Sequence, residues 1–229
     1  MALSRLYFIT MEKAADGPLQ GAVAGPLEQI EAACRAGIRL TQLRMKEASD
    51  AEFLDTAVAA KEICDRWGSM LIINDRVEAA VEVGAAGVHV GKEDMPVREA
   101  RRMLGEGKIV GGTANTLEDI REHYLGGAGY IGLGPYRYTA TKKKLSPILG
   151  LEGYERIMRA LDAEGIDIPV MAIGGIGVGD VGPLLKMGVY GVAFSGLLVQ
   201  AADRDGVVSE LEAEVRREGI VGVKNFKTI

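Results

Sequence analysis

The stretch MLIINDRVEAAVEVGAAGVHV, residues 70–90, contains the unit that decides the fold. It opens with a short apolar run at 70–74, continues through a helix-like segment at 76–83 and closes with a second apolar run at 87–90. Such short, β-rich runs separated by helix-like segments recur along most of the 229-residue chain. The other strand candidates are 5–10, 38–45, 108–112, 129–133, 169–173 and 190–194.

Helical periodicity fills the gaps between these runs. In segment 51–67, five residues fall on one face at helical spacing, namely Phe53, Ala57, Ala60, Cys64 and Trp67. The remaining helix candidates are 26–36, 76–83, 96–104, 117–125, 151–164, 180–187 and 197–217, with Asp50, Thr116 and Gly179-Asp180 where caps are expected.

Eight strand–helix alternations in 229 residues predict an α/β fold, a single (β/α)8 TIM barrel. A doubly wound open sheet uses fewer strands at this length and usually opens with a Gly-rich first turn of the GxGxxG type, which is missing here. We therefore treat residues 1–229 as one domain and leave the tail at about 219–229 unassigned.

The composition limits which binding partners and which cellular compartment we expect. The net charge of −5 argues against a nucleic-acid-binding protein. No segment is apolar enough for a signal peptide or a membrane span, and Cys34 and Cys64 form no Cys-x-x-Cys pair. These features predict a cytoplasmic protein with buried, reduced thiols.

Polar residues follow the predicted strands, at the end of the barrel where such folds carry their sites. In LTQLRMK, residues 40–46, side chains alternate, so Gln42, Arg44 and Lys46 share one face and Thr41, Leu43 and Met45 the other. The polar face is predicted to line the barrel mouth, where its cations need an anionic partner. The alternative is a strand end that runs into solvent.

Acidic residues follow the next two strands. Asn74-Asp75-Arg76 ends one run, and Lys92-Glu93-Asp94 follows the next. Asp75 and Asp94 at neighbouring positions of a phosphate site suggest Mg²⁺, which prefers oxygen ligands. The alternative is that both are helix N-caps.

The remaining loops supply groups that suit a phosphate. Thr139, Thr141 and Lys142 lie in one loop, and glycines follow the last two strands at Gly174-Gly175 and Ser195-Gly196. The histidines His89 and His123 are interpreted as packed or surface residues rather than catalysts.

Six motifs in this order resemble the thiamine phosphate synthase family: QLRMK, INDR, GVHVGKEDM, the G-x-T-x-N-T turn, YIGLGP with TATKK, and AIGGI. The resemblance runs from about residue 5 to about residue 200. It implies a TIM-barrel transferase of thiamine biosynthesis, which joins a 4-aminopyrimidine diphosphate to a thiazole phosphate with Mg²⁺ as cofactor.

The resemblance also implies residue roles. The pyrimidine diphosphate binders would be Gln42, Arg44, Lys46, Asn74, Thr113 and Lys142, of which Arg44, Lys46 and Lys142 would assist catalysis. The Mg²⁺ ligands would be Asp75 and Asp94. The thiazole phosphate would contact Thr139, Thr141, Gly175, Ser195 and Gly196.

Some positions depart from the family pattern. Lys92 stands where Gln is frequent, Thr113 where Ser is, and Asn115 where His is, while Ser195 comes one position before the usual Ser. Two alternatives stay open: a thiazole tautomerase, an isomerase of the same barrel that uses a His near position 115, and a non-catalytic phosphate-binding barrel. The sequence leaves open a carboxylated thiazole, a homodimer and the role of loop 11–25.

Overall fold

Eight parallel strands close into a barrel in which each strand pairs with the next along the chain and the last pairs with the first. The computed structural model describes residues 3–12, 25–138 and 147–219. The strands are Leu6–Ile9 (β1), Leu40–Leu43 (β2), Met70–Asn74 (β3), Gly87–Val90 (β4), Ile109–Ala114 (β5), Tyr130–Leu133 (β6), Val170–Ile173 (β7) and Gly191–Phe194 (β8).

Every strand is followed by a helix, so the predicted (β/α)8 TIM barrel is confirmed. The helices are Pro26–Arg35 (α1), Asp50–Trp67 (α2), Val77–Glu82 (α3), Val97–Leu104 (α4), Leu117–Leu125 (α5), Gly150–Glu164 (α6), Val178–Lys186 (α7), Gly196–Val199 (α8) and Arg204–Glu218 (α9).

The boundaries and caps differ from the sequence prediction in several places, and the N-cap of α7 is Gly177 rather than Gly179-Asp180. The helix predicted at 197–217 is two helices, because the side chain of Asp203 accepts a hydrogen bond from Gly206 N and caps a new start. Ser49, and not Asp50, caps α2. Strand β5 continues to Ala114, two residues beyond its predicted end.

The apolar core has two layers because successive strand residues face opposite sides. One set fills the barrel interior and includes Ile72, Tyr130 and Met171. The other set, which includes Ile73 and Val88, packs beneath the helices. This alternation determines which polar side chains on each strand enter the barrel and which meet the helical shell.

Candidate functional site

Strand β2 places Gln42 and Thr41 on opposite faces, as the alternation of side chains predicts. The Gln42 side chain enters the barrel, where its Nε2 donates to Tyr7 Oη at 2.5 Å. On the opposite face, Leu43 and Met45 pack in the helical layer, and Thr41 contacts the Cys64 thiol. The strand itself ends at Leu43, so the two cations that follow stand on the rim rather than inside the barrel.

The two cations on this rim pair with carboxylates of the protein. Arg44 Nη1 lies 3.7 Å from Glu12 Oε2, and Lys46 Nζ lies 2.8 Å from Asp75 Oδ2. The Lys46 side chain is 46% exposed, so a ligand in the mouth can reach its ammonium. The anionic partners that these cations require are therefore carboxylates of the same chain.

Asp75 occupies a tight turn at the end of β3. Its φ of 62° is the one positive value among the non-glycine residues that the structure describes. The turn is closed by Arg76 N, which donates to Asn74 O at 2.7 Å, while Asp75 N donates to His89 O at 2.8 Å. A backbone held in this region is strained, and strain of this kind concentrates at functional sites.

Asp94 comes close to Asp75 from the loop after β4. Its Oδ2 accepts a hydrogen bond from Gly91 N at 2.9 Å. Burial raises the pKa of Asp94, and a hydrogen bond and charge from Asp75 raise it further. Two carboxyl groups this close together favour a proton or a cation between them.

The helix-capping alternative for these two residues is wrong. The N-cap residue is Arg76 in α3 and Pro96 in α4, and neither helix has a side-chain cap hydrogen bond. The acidic pair instead fits Mg²⁺, which takes carboxylate oxygens together with substrate phosphates and waters. Within the described ranges no cluster of three or more metal-binding side chains exists, so a ligand and water would complete the coordination.

Asn74 and Thr113 lie at the ends of β3 and β5. Asn74 is buried, and its position in the sheet is opposite His89. Thr113 is half-buried, and its Oγ1 lies 2.9 Å from His89 Nε2. The interpretation of His89 as a packed or surface residue does not predict this contact, although its place on the inward face of β4 could have indicated it.

Lys92 and Asn115, two of the positions that depart from the family pattern, both contact Asp119 near the start of α5. Lys92 Nζ pairs with Asp119 Oδ1 at 2.8 Å, and Asp119 Oδ2 accepts from Asn115 N at 2.8 Å. The Asn115 side-chain amide donates to Gly134 O, at the end of β6. Both residues thus brace the loop after β5.

The turns that follow β7 and β8 contain the glycines that the sequence indicated. Gly175 has a φ of 68°, and a Cβ there would lie 2.6 Å from Arg137 Cγ. The Ser195 hydroxyl donates to Ile9 O, and Gly196 begins α8. Because the Ser195 proton is already used, backbone N–H groups are the donors this turn offers to an anion.

Three predicted residues, Thr139, Thr141 and Lys142, lie outside the described residues, as does 13–24 of loop 11–25. The predicted residues at 42, 44, 46, 74, 75, 94 and 113 therefore lie on β2, β3 and β5 or in the loops after β2, β3 and β4, at one end of the barrel. Gly175, Ser195 and Gly196 follow the last two strands at the same end of the barrel.

Comparison with known proteins gives consistent matches. Residues 6–198 match the family model described as thiamine monophosphate synthase. The thiamine-phosphate synthase of Bacteroides fragilis is 50% identical over 177 residues, which is 77% of this chain and 87% of the relative. The thiamine-phosphate synthase of Chloroflexus aurantiacus is 36% identical over 211 residues and 92% of each chain. A solved thiamine phosphate pyrophosphorylase from Pyrococcus furiosus superposes with a TM-score of 0.77 at 30% identity, over 94% of this chain and 96% of that one.

Proposed function

The chain belongs to the thiamine monophosphate synthase family, and from that premise we propose how its barrel mouth performs the reaction. The enzyme is a transferase that forms thiamine phosphate from small-molecule substrates. The substrates we assign are 4-amino-2-methyl-5-hydroxymethylpyrimidine diphosphate and a thiazole phosphate. The products are thiamine phosphate and diphosphate.

We propose a dissociative reaction at the methylene carbon of the pyrimidine. The C–O bond breaks, and its electron pair leaves with the diphosphate. The 4-amino group donates electron density to the cation that remains, and the thiazole nitrogen then forms the new C–N bond. No proton transfer is needed at the reacting carbon, so stabilising the leaving group and positioning the partners are the protein's tasks.

The observation that carries this proposal is the contact between Lys46 and Asp75 beside Asp94. It places a cation that suits diphosphate against a carboxylate pair that suits a divalent metal. Arg44 adds a second cation on the same rim, and Lys142 is proposed as a third. Mg²⁺ bound by Asp75 and Asp94 would neutralise negative charge on the departing diphosphate.

The two organic rings are assigned to different sides of the mouth. Gln42, Asn74 and Thr113 would bind the pyrimidine, since they present amide and hydroxyl groups from β2, β3 and β5. The thiazole phosphate would meet the turns after β7 and β8. Its proposed contacts are Thr139, Thr141, Gly175, Ser195 and Gly196.

The tautomerase alternative fits the site less well. It would use a titrating side chain in the loop after β5, and Asn115 there carries an amide that donates to Gly134 O. An amide does not titrate near neutral pH and cannot act as a general acid or base there, whereas an imidazole can. An isomerase also has no use for the carboxylate pair of Asp75 and Asp94. A non-catalytic barrel would likewise have no need of that pair.

One assay tests the function. Purified protein is mixed with the pyrimidine diphosphate, the thiazole phosphate and Mg²⁺, and diphosphate and thiamine phosphate are measured. We expect both products in equal amounts, and neither when one substrate is omitted. Running the assay with carboxylated and with non-carboxylated thiazole phosphate identifies the preferred acceptor. Isomerisation of the thiazole without diphosphate release would overturn the proposal.

Compartment and assembly are part of the proposal. No helix in the described ranges has both the length and the apolar character needed to cross a membrane. Cys34 and Cys64 are buried and unbridged, which suits a reducing compartment such as the cytoplasm. We propose one domain over residues 1–229 and keep a homodimer as the state to test by light scattering of the purified protein.

A further inference from the structure

A continuous chain of hydrogen bonds crosses the barrel interior. Gln42 Nε2 donates to Tyr7 Oη at 2.5 Å, and Tyr7 Oη lies 2.9 Å from Tyr130 Oη. Tyr130 Oη lies 2.9 Å from His89 Nδ1, and His89 Nε2 lies 2.9 Å from Thr113 Oγ1. Two residues proposed to hold the pyrimidine are thus joined through three side chains of the interior.

The donors and acceptors can be assigned in one direction along this series of hydrogen bonds. Tyr7 accepts from Gln42 and carries one proton, which we assign to the hydrogen bond with Tyr130. Tyr130 then gives its own proton to His89 Nδ1. A neutral imidazole that accepts at Nδ1 carries its proton on Nε2, and that proton is donated to Thr113 Oγ1.

The surroundings keep the two phenols protonated and the rings in fixed positions. Burial raises the pKa of Tyr7 and of Tyr130, so both phenols stay protonated. The Tyr130 ring stacks on His89 with centroids 5.4 Å apart and meets the Tyr7 ring edge-on at 5.7 Å. At Gly132 a Cβ would lie 2.9 Å from His89 Cε1, so the glycine makes room for the imidazole.

The direction of the chain determines what its two ends offer a ligand. The hydrogen bond to Tyr7 holds the amide nitrogen of Gln42 in the barrel interior, and the carbonyl oxygen is the acceptor that this amide offers. Thr113 accepts from His89, so its own hydroxyl proton is its donor. A 4-aminopyrimidine ring presents the complement, with an amino group that donates and ring nitrogens that accept.

We propose that Tyr7, Tyr130 and His89 are positioning residues that make Gln42 an acceptor and Thr113 a donor toward the aminopyrimidine ring. This inference rests on the proposed function, because that function places the pyrimidine between the two ends. The three residues act through their neighbours and need not touch the substrate. Their effect is selectivity for an amino group over an oxo group at the pyrimidine 4-position.

The test compares the binding of two unreactive ligands by titration calorimetry. The probes are 4-amino-2-methyl-5-hydroxymethylpyrimidine monophosphate and its 4-oxo counterpart, which replaces the amino donor by an acceptor. We expect wild type to prefer the amino form by about a hundredfold, and Tyr130→Phe to reduce that preference at least tenfold. Without the Tyr130 hydroxyl, the hydrogen bonds at both ends can reverse direction. Tyr7→Phe removes a different link and should give the same loss if Tyr130→Phe does not fold.

The matched control is Tyr190→Phe. Tyr190 also packs against the barrel interior, but its hydroxyl donates to Leu3 O and is not part of the hydrogen-bond series from Gln42 to Thr113. This variant should keep the wild-type preference. An unchanged preference in Tyr130→Phe and Tyr7→Phe, or an equal loss of affinity for both ligands, would overturn the inference. A wild-type protein that binds neither ligand and releases no diphosphate would instead overturn the proposed function.

Discussion

Lys46 Nζ and Asp75 Oδ2 lie 2.8 Å apart at the barrel mouth, so a cation suited to diphosphate is paired with a carboxylate suited to Mg²⁺. An exposed ion pair of this kind contributes little to stability, about 0–1 kcal/mol. Its proposed role is that each partner of the pair can be released to bind a ligand. If diphosphate and Mg²⁺ bind here as proposed, the ammonium would turn to the phosphate oxygens and the carboxylate to the metal.

Removing the rim cations Arg44 and Lys46, or the proposed diphosphate binder Lys142, should slow the leaving-group step. We expect Arg44→Ala, Lys46→Ala and Lys142→Ala each to lower turnover by about two to three orders of magnitude, the usual effect of losing one electrostatic donor. Diphosphate release at saturating substrate measures this. The matched control is Lys61→Ala, since Lys61 forms a surface pair with Asp65 on α2. Near-normal turnover in the rim variants would count against the assignment.

The metal requirement should depend on Asp94. We expect EDTA to abolish diphosphate release by the wild type, and Asp94→Asn to raise the Mg²⁺ concentration for half-maximal rate at least tenfold. Asn keeps an oxygen that can accept from Gly91 N, so the loop is retained while the charge is lost. A titration of rate against Mg²⁺ measures the change.

The control for the metal prediction is Asp162→Asn, an exposed carboxylate on α6. It should leave the Mg²⁺ dependence as in the wild type. An Asp94→Asn enzyme with an unchanged Mg²⁺ curve would remove this residue from the metal site.

The sequence predicted the barrel and much of the mouth because both follow from periodicity. Eight apolar runs mark the strands, and alternation in β2 places Gln42 inside and Leu43 outside. Two features depend on contacts between strands that no local pattern contains. The turn at Asp75 is held by His89 O, and the link from His89 to Thr113 depends on the register of β4 against β5. The break before Arg204 was readable from the Asp203 cap and was missed.

Arg137 should matter for the thiazole side of the mouth. Its guanidinium forms a two-point pair with Asp180 at 2.7 and 2.6 Å, and its backbone N–H donates to Gly174 O at 3.0 Å. It thereby fastens the loop after β6 onto the turn that contains Gly175. We expect Arg137→Ala to raise KM for the thiazole phosphate about tenfold with little change in kcat, since ground-state positioning is lost.

Steady-state kinetics with the pyrimidine diphosphate held saturating separates the two constants. Asp180→Asn should produce a smaller rise in the same KM, because it weakens the pair while keeping an oxygen for Gly177 N. Arg159→Ala, which removes an exposed pair with Glu155 on α6, should change neither constant. If Arg137→Ala lowered kcat and left KM unchanged, the residue would have to act in the reaction itself.

Gly111 should be intolerant of any side chain. It lies on the inward face of β5, and a Cβ there would overlap the Tyr130 ring at Cζ and Oη. The ring cannot retreat easily, because it is fully buried between Tyr7 and His89. Overpacking of a closed core costs about 1–3 kcal/mol, so Gly111→Ala should lower Tm by several degrees and unfold at lower urea concentration.

Gly107→Ala is the matched control, because nothing lies within 4 Å of a Cβ at that position in the turn before β5. Its stability should stay within about 0.5 kcal/mol of the wild type, as for ordinary surface changes. The Gly111 variant should also lose part of its preference for the aminopyrimidine ligand, because a displaced Tyr130 breaks the hydrogen-bond chain. Equal stability of the two variants would mean that the Tyr130 ring is not confined as the barrel interior requires.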